Sequence, residues 1–136
     1  MSISGNMPRS TIVVFGAAEK GQLCTPLPIG SLEELLDSLG HPPEHSEGLI
    51  CAIQILLYQH QLIYFRVEEE GFSTDDYIRG LKLLKQHPLQ TGITAIGMPG
   101  VGERELIHAA TPICHFYHSI LLVSEKDLYD YLTSQK

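Results

Sequence analysis

VVFGAAEKGQLCTPLPIGSLEELLDSLG, residues 13–40, decides how the rest of the chain is read. A β-branched and aromatic run stops at Gly16, a Gly/Pro-punctuated crossing follows, and a helix signal begins at Ser31. Ser31 and Glu34 have the S-x-x-E spacing of a capping box, Leu32, Leu35, Leu36 and Leu39 fall on one face, and Gly40 stands where a glycine ends a helix. A glycine turn after a strand either cradles phosphate or carries the chain onward. Gly16 to Gly21 has the G-x-x-x-x-G spacing, but Gln22 and Leu23 stand where a phosphate loop needs Lys and Ser/Thr. The proline-bearing Cys24–Ile29 segment that follows is read as an extended crossing, so no helix N-terminus faces a phosphate and the turn reads as structural.

Working outward, the periodicity alternates between strand and helix. Thr11–Phe15, Leu62–Val67, Ile93–Gly97 and Ile120–Val123 read as strands. Glu47–Gln59 is apolar almost all round and predicts a helix buried between the sheet and a further layer. Thr74 is expected to cap a helix with the stripe Tyr77, Ile78, Leu81 and Leu84, stopped by His87-Pro88. Glu103–Ala110 reads as a helix broken or restarted at Thr111-Pro112, and Ser124 with Asp127 opens a last one. The fold class is therefore α/β: between a short polar segment at 1–10 and a polar end at 134–136, residues 11–133 form a single domain. Its core is a mainly parallel twisted sheet of about four strands flanked by helices.

At 136 residues the chain is long enough to bury a core without disulfides or a structural metal. Sixteen acidic residues against nine basic ones leave a formal charge of −7, and the run Glu68–Glu70 is acidic. Clustered Lys and Arg are what phosphate-backbone affinity needs, so nucleic acid is excluded as a partner class. The apolar run Leu49–Tyr58 falls short of the roughly 20 residues a membrane helix needs. Cys24, Cys51 and Cys114 are an odd, widely spaced set, and the first ten residues have no apolar core, which together predict reduced thiols, no secretion signal and a cytoplasmic setting.

Two further patterns have chemical readings. "GMPGVGERE" (97–105) leaves a strand and enters a helix, where open α/β sheets bind ligands. The dinucleotide fingerprint needs a glycine at Glu105, and Glu103 and Glu105 suit the helix dipole but repel phosphate. A capping turn is the main reading. The alternative is a small ligand-binding module or enzyme with a crevice for a neutral or cationic ligand at Gly97, Pro99, Gly100, Gly102 and Glu103. The histidines have no convincing metal spacing: Cys114, His115 and His118 are not expected to share one face, and His41 and His45 are separated by Pro42-Pro43. Cys51 lies within the most apolar helix, where a thiol is inert. There is no G-x-S-x-G elbow and no acidic pair after the first strand, so no catalytic residue, cofactor or metal is assigned.

The order of these patterns resembles the core domain of contractile tail sheath proteins, which form the outer tube of contractile phage tails and related injection systems. Gly16, Ala18 and Gly21 match that family's small-residue turn, Thr25-Pro26 its extended crossing, and Ser31–Gly40 its glycine-terminated helix. "GLICAIQILLYQHQLIYFRVEEE" is similar to its apolar helix and strand ending in Arg-Val, here Arg66-Val67, and "TGITAIGMPGVGERELIHAA" to its strand ending in Pro99-Gly100. The resemblance spans about residues 11–133 and implies a non-enzymatic structural or interaction protein with protein partners, one that docks on or regulates a larger assembly. The family's strand-exchange arms have no counterpart here, which implies a monomer or small closed oligomer rather than a tube.

Overall fold

The computed structural model describes residues 10–86 and 92–134. Five strands form one sheet in the order β2-β3-β1-β4-β5. They are β1 (Thr11–Gly16), β2 (Leu27–Ile29), β3 (Gln61–Arg66), β4 (Ile93–Gly97) and β5 (Ile120–Leu122). β1 pairs in parallel with β3 on one side and β4 on the other, and β5 adds in parallel to β4. All six residues of β1 are buried, as a central parallel strand covered on both faces requires.

The alternation of side chains divides the core into two layers. Ile12, Val14, Leu62, Tyr64, Ala95 and Leu122 face α1 (Leu32–Leu39), α2 (Gly48–Leu57) and α5 (Glu125–Ser134). Val13, Phe15, Ile63, Phe65 and Ile96 face α3 (Thr74–Gln86) and α4 (Arg104–Tyr117). On that second face the Phe15 and Phe65 rings stack at 4.7 Å, with Tyr77 5.6 Å from Phe15. Gly80 lets α3 approach this stack, since a Cβ there would lie 2.5 Å from the Phe15 ring.

Several expectations are met and several corrected. Ser31 Oγ accepts from Glu34 N at 3.1 Å and Gly40 closes α1 with φ 81°, so the capping signals act as read. Glu34 reaches back to Gly30 N at 2.8 Å, one residue earlier than the usual box. Ser124 Oγ accepts from Asp127 N at 3.0 Å at the start of α5. The sheet has a fifth strand, however: Leu27–Ile29, read as mere crossing, pairs antiparallel with β3. Its shortness and Pro28 hide it, and both are tolerated because it is an edge. Thr74 is the first residue of α3 rather than its cap, and Ser73 Oγ, one residue earlier, accepts from Glu69 N. α4 runs unbroken through Pro112, which lies on its exposed side. α2 is not sandwiched between layers. Leu49, Cys51, Ala52 and Ile55 are buried, but Ile50 and Leu57 are 38% and 63% exposed. The expected stop at His87-Pro88 lies outside the described residues. Among the described residues no helix is long and apolar enough to cross a membrane.

Candidate functional site

In this topology the chain turns from β3 on one side of β1 to β4 on the other, so the place to look for a ligand is the crevice at the carboxyl ends of β1, β3 and β4. Three loops and the N-terminus of α2 converge there. The end of β1 and the start of α2 are both glycine, and a Cβ on Gly48 would lie 2.7 Å from Gly16 Cα, so the two backbones approach more closely than side chains allow. That approach aims the free N–H groups of the first turn of α2 into the crevice.

The chain itself fills the position. The loop after β3 folds back, and Glu70 Oε1 accepts from Ala17 N at 2.9 Å and Gly48 N at 3.0 Å, while Oε2 accepts from Glu47 N at 2.5 Å. A carboxylate at a helix N-terminus meets both unpaired donors and the positive end of the dipole. Two buried tyrosines hold the loops around it: Tyr64 Oη donates to Ala17 O at 2.8 Å, and Gly71 N donates to Tyr77 Oη at 2.6 Å. Burial first, then the Glu70 charge, raises the Tyr64 hydroxyl far above its ordinary value, and burial also raises Tyr77. Both phenols therefore stay protonated, Tyr64 as a donor and Tyr77 as an acceptor.

The carboxylate pattern continues along this end of the molecule. Glu47 Oε1 accepts from Glu125 N at 3.2 Å, and Gln54 Nε2 donates to Glu125 Oε2 at 3.0 Å, tying the start of α5 to α2. The Gly16–Gly21 loop is likewise bound by the protein. Glu19 N donates to Leu39 O at 3.0 Å, and His41 N donates to Glu19 Oε1 at 2.8 Å, clasping the end of α1.

The five residues of the alternative crevice are divided by the fold. Gly97 and Pro99 are buried, whereas Gly100, Gly102 and Glu103 are exposed. Their turn is closed by Met98 N to Leu122 O at 2.7 Å, Gly100 N to Val123 O at 3.1 Å and Val101 N to Met98 O at 3.2 Å. Gly71, with φ 85°, touches this turn, and a Cβ on it would lie 2.7 Å from Gly100 O. The loop that carries Glu70 thus seals against the turn after β4. Glu103 begins α4 without a side-chain capping bond.

Cys114, His115 and His118, expected not to share a face, line one depression of about 520 Å³ with Thr111, Ser119 and Leu121. Positions 114 and 118 are one helical turn apart, and the left-handed cap at His118 (φ 55°) folds the chain back beside them. Among the described residues no group of three His, Cys, Asp or Glu is placed to hold a metal ion. The thiols are all buried. Burial pushes Cys51 up to about 12 and Cys24 up to about 11, and it raises Cys114 against the lowering effect of Ser119. None has the lowered pKa of a reactive cysteine.

Glu70 is the residue that sequence reasoning missed. It was one of three glutamates in an acidic run, and the local hint beside it was Gly71, a glycine with φ 85° where the loop turns against Gly100. Comparison with family models, curated proteins and solved structures finds no match to the chain.

Proposed function

We propose that the chain is a non-enzymatic interaction protein, similar to a contractile tail sheath core, that docks on or regulates a larger assembly as a monomer or small closed oligomer. The observation that supports this reading is Glu70. The place where an open α/β sheet receives a ligand anion is taken by the protein's own carboxylate and sealed by the Gly71–Gly100 contact. The fold then serves as a rigid body whose exposed elements meet other proteins. Large apolar side chains reach solvent at Phe72 (78%) and Leu57 (63%), which such a body can use.

The test has two arms. Purified protein is mixed with assembled contractile sheath tubes and sedimented, with negative-stain imaging and light-scattering mass measurement of the protein alone. Co-sedimentation, with no tubes formed by the protein alone, is the expected result. In parallel, nucleotides, flavins and sugar phosphates are screened by thermal shift. A bound ligand at a hundred times its Kd would add about 2.7 kcal/mol. A clear hit combined with failure to sediment overturns the proposal in favour of a ligand-binding module.

A further inference from the structure

The two edges of the sheet differ. At one edge β2 carries Pro28, which removes a donor from the strand and blunts it against pairing. At the other, β5 is Ile120-Leu121-Leu122, with neither proline nor lysine, and Ile120 is 46% exposed. Leu122 O accepts from Met98 N of the turn after β4, so the backbone groups of Ile120 and Leu122 face inward. In a parallel pair both groups of one residue point to the same side and neighbours alternate, so Leu121 presents its N–H and C=O to the outer edge, where no described strand pairs with it.

A depression lies on each side of that pair. On the α4 face is the one of about 520 Å³ with Thr111, Cys114, His115, His118, Ser119 and Leu121. On the α5 face is one of about 440 Å³ lined by Ile120, Leu121 and Leu122 with Asp127, Asp130, Tyr131 and Ser134. Leu121 belongs to both. We infer that the β5 edge receives an extended segment of a partner protein by strand addition, with basic residues flanking a small apolar one.

The pattern follows from sheet geometry. A residue pairing with Leu121 points its side chain to the same face as Leu121, toward the depression on the α4 face, whose lining has no carboxylate. Its two neighbours point to the face of Ile120 and Leu122, toward Asp127 and Asp130. The Asp130 carboxylate is held by Lys126 at 3.0 Å, but both are exposed and such a pair is weak enough to be shared. A basic partner also suits a chain of formal charge −7. Main-chain bonds to Leu121 supply register and the two depressions supply selectivity, as in other strand-addition complexes. This deepens the interaction-protein reading and rests on it, but not on the sheath likeness.

The test uses the full chain and a fluorescein-labelled peptide, Thr-Lys-Val-Lys-Val-Thr, acetylated and amidated, read by anisotropy at pH 7.5 and 50 mM salt. Saturable binding is expected. It should weaken at least tenfold when both lysines become glutamate, and at least tenfold when the first valine and the second lysine are both N-methylated, which removes the donor to Leu121 O whether the segment adds antiparallel or parallel. The surface double variant Asp127→Asn/Asp130→Asn, with unchanged circular dichroism, should weaken the lysine peptide at least fivefold. Equal binding of the N-methylated or glutamate peptide overturns the inference, as does no saturation at millimolar peptide. So does a stable dimer whose edges are already occupied by a second copy. If the peptide fails while the protein still sediments with tubes, the edge inference falls and the proposed function stands.

Discussion

Replacing Glu70 by alanine removes one carboxylate from three backbone donors at once. The Glu47 N–H is exposed and recovers a water, so its loss contributes little. The donors on Ala17 and Gly48 are partly buried, and each lost charge-assisted bond costs about 1.5 kcal/mol, the low end of the range. Loss of negative charge at the start of α2 adds about 0.5 kcal/mol. Glu70→Ala is therefore expected to destabilise by about 3.5 kcal/mol, a large part of the roughly 5–15 kcal/mol that holds a domain together. Glu70→Gln, whose amide oxygen can still serve Ala17 and Gly48, should lose only about 1–1.5 kcal/mol. Glu69→Ala, an exposed neighbour, should stay within about 0.5 kcal/mol of the parent. Urea unfolding at pH 7, followed by circular dichroism, measures all three, with a midpoint shift near 1–2 M for alanine at an ordinary m-value. A loss under about 1 kcal/mol for Glu70→Ala, or glutamine as damaging as alanine, refutes the idea that this carboxylate plugs the crevice.

Burial raises Cys51 from 9.0 to about 12, so the folded protein holds that proton more tightly than the unfolded chain. Its contribution is full below about pH 9 and is lost as pH rises toward 12, amounting to about 1.4 kcal/mol by pH 10. Cys51→Ala should reduce the loss of stability between pH 8 and 10, read from urea midpoints; an unchanged slope counts against the burial argument. Gly80→Ala gains about 1 kcal/mol of helix propensity but drives a methyl to 2.5 Å from Phe15. Overpacking of that kind costs about 1–3 kcal/mol, so the variant should be less stable by up to about 2 kcal/mol, and a stabilised Gly80→Ala in thermal melts would show that α3 yields easily.

The α/β class and most elements were legible because they rest on local signals. Ser31, Glu34 and Gly40 bound α1 through contacts within four residues, Ser124 and Asp127 start α5 in the same way, and Ile93–Gly97 is bounded as read. The alternation of apolar residues in β1 and β3 needs no partner to be seen. What lay beyond the sequence depends on segments far apart in the chain. β2 is a strand only because β3 lies beside it, and the helix broken at Pro112 on paper stays whole because that proline faces solvent. The outer side of α2 is exposed because no described layer covers it, although its composition is that of a buried helix. Cys114 and His118 meet in one depression through helical spacing, but its Leu121 wall comes from the next strand. Glu70 is the sharpest case. Its hydrogen-bond partners lie 22 to 53 residues away, so a charge that looks solvated in the sequence becomes the plug of the crevice only when β1, α2 and the loop after β3 converge.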